Sequence, residues 1–526
     1  MRLAAAPSLV AGAWIAVATL AFGLLSLALG MDANWDMRNY HYYLPYAFLN
    51  HRHGYDILAA QSPTFFNPLL DVPFFLAAEA LPAWAVGSGL GALQAVPFTL
   101  LLCLARHTLA IDNPVHRTHA AALIALTGTT GAMALGTLGT VFYDNLLPIG
   151  FLVSLLMVVR QGARIVKGPI GRGVGLAFMA GWPVGVTAIL KLPHAVTAVG
   201  VCLAVLAVPG PLSRRLTATA FLTLGVLAGM GLAGGWWHWH LWQAYGNPVF
   251  PAFNDIFQSP WAAPDPYRGN VFLPSGMWER LTFALVYPFA PEETAEVPFR
   301  DLRITTLFLL LPVAVLARLT APLAGRERRG ASLVHPGPAR CILTAAVFTY
   351  LAWIAVFAIY RYAVGLEMLA PLALVAAIGW LPLPRRGGIA VLVLGMMVAS
   401  TCPADWGRVP WSDRYLTVQG LPVLPAHSMV LMTGRGALSF LIPAFPPHVR
   451  FVRIDGWFAT PWEDNGFTRL VHREILVHQG ALFMLFVAHD RSRAHQTAGA
   501  YGLQMDETGC VFPTSFEAYH LCPLQR

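Results

Sequence analysis

Charge is scarce in this chain. Of its 526 residues 56% are hydrophobic and only 11% are charged, whereas soluble domains carry about 25% charged residues. That shortage excludes an ordinary soluble enzyme and indicates a protein of the bilayer. Lysine is scarcer still: only Lys167 and Lys191 break a run of arginines among the 34 basic residues. The six cysteines are few. Cys103, Cys202 and Cys341 lie in apolar runs, whereas Cys510 and Cys522 share the tail and could pair in an oxidising compartment. No tandem repeat, low-complexity tract or nucleotide-binding glycine loop is visible. "GTLGT" and "GVGL" fall in helices and read as packing.

What the chain has instead is long apolar runs. A helix crosses the hydrocarbon with about 20 apolar residues, and about eleven stretches qualify: 7–29, 84–105, 119–138, 142–159, 174–190, 193–209, 216–235, 303–319, 341–360, 363–381 and 388–402. The first is a poor signal peptide, because Leu29-Gly30-Met31-Asp32 lacks a small-residue cleavage site. Residues 69–82 are apolar but short and proline-bracketed, and are expected to lie at the interface.

The net charge of +8 is a topology signal and gives no reason to expect nucleic acid. Arg2, Arg106, Arg117, Arg160, Arg164, Lys167, Arg172, Arg214, Arg215, Arg326, Arg328, Arg329, Arg385 and Arg386 fall in alternate short loops that hold almost no acid beyond Asp112 and Glu327. Such loops are cytoplasmic, which places the N-terminus inside and, after eleven spans, the C-terminus outside. The opposite face then receives residues 30–83, 139–142 and 236–302, with the tail. The expected fold is an all-α polytopic membrane region over 1–402, with exterior loops 30–83 and 236–302, and a small extracytoplasmic α/β domain over 403–526. In that tail "HSMVLMTG", "HVRFVRIDG" and "ALFMLFVAHD" read as strands and "FTRLVHREILVHQ" as a helix.

Three exterior features carry chemistry. The stretch "DANWDMRNYHYY" concentrates Asp32, Asp36, Arg38, Tyr40 and His41 at the exit of the first span. Asp32 reads as a helix cap or solvated carboxylate. Asp36, at the first turn of an amphipathic segment expected along the membrane surface, is placed to take a proton from an incoming hydroxyl. "GTVFYDNLL" puts Asp144 at the start of the fourth span. Lys191, with His194, and Arg361 supply cations at the outer membrane edge. In a chain that writes its cations as arginine, a retained lysine suggests a point charge for phosphate; the alternative is snorkelling to headgroups. Glu367 lies inside a span and needs a partner from elsewhere, most simply a structural ion pair. "WWHWHLW" at 236–242 reads as an interfacial aromatic belt, and His238, His240 and the "HRH" at 51–53 read weakly as metal ligands. Trp35, Tyr40 and Tyr43 could stack on sugars or anchor the interface.

This layout resembles the GT-C superfamily of polytopic glycosyltransferases, which includes protein O-mannosyltransferases and the lipid A aminoarabinose transferase. The resemblance rests on "NWDMRNYHYYLPYAFLNHRHGYD" as a first exterior loop with an acidic residue, on "FFNPLLDVPFFLAAEALP" as an interfacial segment, and on "YDNLL". "GVTAILKL", "RYAVGLEMLAPLAL" and an exterior tail complete it. It covers most of residues 7–402. The resemblance implies transfer of a sugar from a polyprenyl-phosphate or polyprenyl-pyrophosphate donor to a glycan, lipid or protein acceptor at the extracytoplasmic face, generally with inversion. It implies Asp36 as general base, or as the group that orients the acceptor, and Asp144 as the second acid, which supports the site or helps to hold a divalent metal where one is used. Lys191 and Arg361 would bind donor phosphate, with Arg38, Tyr40, His41 and His194 lining the site. Met37 after Asp36 departs from the Asp-Glu pair of several mannosyltransferases and argues against a metal-bridged site. The alternatives are a lipid-linked oligosaccharide flippase, which would show repeats and broken helices, an O-antigen-type polymerase or ligase using the late loop, and a scaffold without catalysis. The Arg, Ala and Gly bias suggests a bacterium, hence its inner membrane with the C-terminus in the periplasm.

Overall fold

A computed structural model describes residues 2–320 and 333–526, with residues 2–6 and Asn270 described in backbone only. Arg326, Glu327, Arg328 and Arg329 of the expected basic loop lie outside the described residues, as does the side chain of Arg2. Among the described residues eight helices are long and apolar enough to cross a membrane: Pro7–Leu29, Ala83–Thr108, Pro148–Lys167, Ile170–Leu190, Leu212–Tyr245, Arg303–Thr320, Pro336–Val356 and Tyr360–Trp380. The chain is a mostly helical, multi-pass membrane protein with a small C-terminal sheet domain.

Three of the eleven expected stretches form shorter helices. Two of these are Leu192–Ala207 and Arg386–Ser400. The third, 119–138, divides into Pro114–Thr129 and Ala132–Gly136. The break has a visible cause. Glu367 accepts the amides of Met133 and Ala134 at 3.2 and 3.0 Å, and Asp301 accepts that of Ala132 at 3.0 Å. A Cβ on Gly131 would meet Glu367 Oε1 at 2.0 Å, so a larger residue there would displace the carboxylate that holds these amides. The partner that Glu367 needs is therefore peptide N–H, with the buried Asp301–Arg303 pair beside it.

The chain divides into two compact units. The first comprises Met1–Leu29, Ser88–Gly235 and Gly269–Trp406. Its centre is the helix Val364–Trp380, buried without interruption from Val364 to Ile378, whereas the outer helices expose Leu9, Leu20, Leu232 and Leu316. Apolar side chains around a buried central helix are what a lipid-facing surface requires. Ile170–Leu190 and Leu212–Tyr245 approach through small residues: a Cβ on Gly185 would lie 2.1 Å from the Val226 carbonyl oxygen, and one on Gly225 1.9 Å from that of Phe178. Gly181 and Gly185 on one helix, and Gly225 and Gly229 on the other, repeat every four residues, the spacing that lets two backbones touch in a bilayer. Gly136 of "GTLGT" and Gly173 of "GVGL" are also close-packed, against Ala404 and Ile165.

The second unit comprises Gly30–Gly87, Trp236–Arg268 and Gly407–Arg526. Its strands are β1 (Met31–Asp32), β2 (Arg408–Val409), β3 (Met429–Met432), β4 (Arg450–Arg453), β5 (Leu482–Val487), β6 (Gln504–Met505) and β7 (Tyr519–Gln525). β1 pairs antiparallel with β2, and the others form one sheet in the order β4-β3-β5-β7-β6. β3 runs parallel to both β4 and β5, while β7 is antiparallel to β5. Helix Gly466–Val477 and a disulfide between Cys510 and Cys522 complete the tail. Phe65 and Trp237 join Phe250, Phe458, Phe467 and Phe486 in the core of this unit, so residues of both loops are buried with the tail.

The helix contact predicts an asymmetric response. Gly185→Leu should destabilise the purified protein by about 1–3 kcal/mol or more through overpacking. Gly231→Leu, whose Cβ position is open, should not. Equal melting of the two variants in detergent would contradict this packing.

Candidate functional site

Asp144 follows a tight turn in which Tyr143 takes a positive φ of 58°, just before helix Pro148–Lys167. Lys191 ends helix Ile170–Leu190, and Arg361 lies in the turn Tyr360–Ala363 that opens the central helix. These three positions converge within the first unit. The Lys191 ammonium donates to Asp144 Oδ2 at 2.8 Å and to the Phe142 carbonyl at 2.9 Å. His194 Nε2 lies 3.1 Å from Asp144 Oδ1, and Arg361 Nε 3.5 Å from Oδ2. Phe142 and Trp406 flank the Arg361 guanidinium, which lies 4.2 and 5.2 Å from their ring centres, within cation–π range. Lys191 is thus an ion-pair partner of a fully buried carboxylate, and snorkelling does not describe it.

Burial alone would raise the Asp144 carboxyl, but Lys191, His194 and Arg361 outweigh it and hold the group well below the ordinary carboxylate range. Asp144 is therefore a fixed anion. It positions an ammonium and a guanidinium that differ in shape and donor geometry, and an anionic oxygen is the ligand that such a pair recognises. The same neighbours repel a divalent cation, so this donor set does not suit a metal. Among the described residues no three His, Cys, Asp or Glu side chains are grouped as metal ligands.

The other expected site residues belong to the second unit. Asp36 Oδ2 accepts the Tyr40 hydroxyl at 2.9 Å, and His41 Nδ1 lies 2.7 Å from Asp71 Oδ1, both of that pair buried. Arg38 pairs with Glu517 at 2.5 Å. The segment expected along the membrane surface is a π-helical turn, Met37–His41, followed by helix Tyr43–Leu49. Met37, Asn39, Tyr40, His41, Tyr43 and Leu44 are buried on several sides, because the segment packs under the 3₁₀ turn Ser439–Ala444 of the tail. Tyr43 donates to Asp56 at 2.9 Å, so two tyrosines expected as sugar or lipid anchors have their hydroxyls on carboxylates. Asp32 accepts the Asn34 amide at 3.1 Å as a turn-former.

Other features were not legible as sites. Arg52 of "HRH" is buried, donates to both oxygens of Asp56 at 2.7 Å, and reaches the carbonyls of Pro447 and Val449. The i, i+4 spacing of Arg52 and Asp56 was the available signal. In "WWHWHLW", Trp236, Trp239 and Trp242 are exposed as a belt would be, but Trp237 is buried and donates to the Phe65 carbonyl at 2.8 Å.

Compared with protein-family models, curated proteins and solved structures, the chain finds no match.

The Asp144 cluster makes a pH-dependent prediction. The folded state holds this carboxyl below its unfolded value of 3.8, so on acidification the unfolded chain takes up the proton first. The pairing thus contributes stability above about pH 4 and loses it progressively below. Asp144→Asn leaves buried cations without their counter-charge and should cost about 3–5 kcal/mol at pH 7. The gap between variant and wild type in unfolding experiments should narrow below pH 4; a pH-independent gap would refute the ionised cluster.

Proposed function

We propose that the protein is a GT-C-type membrane glycosyltransferase, which moves a sugar from a polyprenyl-phosphate donor to a glycan, lipid or protein acceptor. The observation that carries this reading is the convergence of Lys191, His194 and Arg361 on Asp144. It lies at the opposite end of helix Pro148–Lys167 from Arg160, Arg164 and Lys167. Basic helix ends are cytoplasmic, so the reading puts the cluster at the extracytoplasmic surface, the N-terminus in the cytoplasm and the C-terminal domain in the periplasm of a bacterial inner membrane.

In this reading Lys191 and Arg361 hold the donor phosphate. The bond between the anomeric carbon and the phosphate oxygen breaks with its electron pair on oxygen, and the cations stabilise the charge that gathers there. The acceptor oxygen bonds to the anomeric carbon from the opposite face, its proton passes to Asp36, and polyprenyl phosphate leaves. Inversion needs one base and no covalent glycosyl intermediate. Asp144 positions the cations; Tyr40, which donates to Asp36, orients the base. His41, His194 and Arg38 complete the two clusters.

The test is turnover of a panel of labelled polyprenyl-phosphate sugars by purified protein, with native membrane extract as acceptor. One donor should be consumed, and Asp36→Asn should lower its turnover at least about 100-fold, the usual contribution of a general base, while still binding it. An unaffected Asn variant removes Asp36 from the chemistry. Transport of lipid-linked sugar across vesicles without turnover overturns the whole reading.

A further inference from the structure

The sheet of the second unit has a feature that the transfer reaction does not use. β3 lies between its parallel neighbours β4 and β5, so the chain leaves β3 toward one side and later returns to the other. At such a reversal the loops beyond the carboxyl ends of the strands part, and ligands bind between them. Here the loop after β3 is Thr433-Gly434-Arg435-Gly436. Gly434 has φ +86°, and a Cβ on it would lie 2.2 Å from Asp490 Oδ2, beyond the end of β5. Glycine lets this loop lie low over the strand ends.

Beneath it are polar groups whose capacity is not used. Arg453, at the end of β4 and 2% exposed, donates from Nη1 to the Gly434 carbonyl at 3.0 Å and from Nε to the Ala59 carbonyl at 3.1 Å. Among the described residues its Nη2 has no hydrogen-bond partner. Gln61, 1% exposed, accepts the Trp457 amide at 2.6 Å through Oε1, and its Nε2 has no partner. Asp490 Oδ2 likewise lacks a hydrogen-bond partner, its nearest cation being His489 Nε2 at 3.8 Å. Buried polar atoms are nearly always satisfied, so two donors and an acceptor left over around these strand ends suit a polar ligand. Arg435 stands over the exposed Trp457 ring at 3.9 Å and adds a second guanidinium at the rim. The loop also touches the first exterior segment: the Trp35 indole donates to the Arg435 carbonyl at 3.1 Å, and Ser439 donates to the Asn39 carbonyl.

We propose that these strand ends bind an acidic saccharide as acceptor. Arg453 and Arg435 take its carboxylate or phosphate, Asp490 and Gln61 take its hydroxyls, and the ligand is held beside the segment that carries Asp36. The binding chemistry stands on these residues alone; the word acceptor rests on the proposed transferase activity.

Ligand-observed saturation-transfer NMR on the full-length protein in lipid nanodiscs tests it, with glucuronate, glucose 1-phosphate and glucose as probes. Saturable binding of either acidic sugar, at least tenfold tighter than glucose, is expected. Arg453→Gln should abolish it. Arg435→Ala, at an exposed position that leaves the fold intact, should weaken it at least tenfold. Binding of glucose equal to that of the acidic sugars, no saturable binding, or an unaffected Arg435→Ala variant overturns the proposal. Binding of the acidic sugar by a protein that turns over no polyprenyl donor sustains the site and removes the transferase reading; donor turnover onto a neutral acceptor with no acidic-sugar binding does the reverse.

Discussion

A carboxylate with no access to water fixes one end of the membrane unit. Asp144 can stay ionised there only because Lys191 and Arg361 are close and His194 contributes a further hydrogen bond; an unpaired buried anion would be too costly. The pairing ties together the start of helix Pro148–Lys167, the end of Ile170–Leu190 and the turn into the central helix. It therefore sets where two cations stand. The lysine supplies a compact charge and the arginine a flat one between aromatic rings.

The second unit follows a different logic. Its loops are themselves rich in apolar residues, and they share one core with the tail. Arg52 links the first loop to the carbonyls of Pro447 and Val449, Asp56 accepts the Phe451 amide, Ile57 pairs with the edge of β4, and Arg38 reaches Glu517. Asp36 is carried on a turn packed inside this framework, so its position depends on the tail as much as on the first span. A side chain placed by buried contacts keeps its geometry better than one on a free loop.

How much of this was legible depended on the range of the interaction. Composition alone identifies a membrane protein, and the scarcity of lysine singled out Lys191. β3, β4 and β5 follow from local pattern, whereas β2, β6 and β7 do not stand out in it, and Cys510 and Cys522, which pattern only allows to pair, are joined. Partners far apart in the chain were invisible: Glu367 caps amides more than two hundred residues away, and that cap shortens a stretch that otherwise reads as a span. Burial of the Asp36 segment was hidden for the same reason, because alternating tyrosines and apolar residues look amphipathic until the tail covers the second face. The loop after β3 has too few glycines for a nucleotide signature, and only strand order shows what lies under it.

The most direct measurement is the affinity of the purified protein for radiolabelled polyprenyl phosphate in nanodiscs, with neutral polyprenol as the reference. If Lys191 and Arg361 form a phosphate site, the phosphate should bind at least tenfold more tightly than the alcohol, and the Lys191→Ala and Arg361→Ala variants should each remove most of that preference. Equal affinity for phosphate and alcohol, or a preference that survives both substitutions, would show that the cluster around Asp144 is a structural ion pair and nothing more.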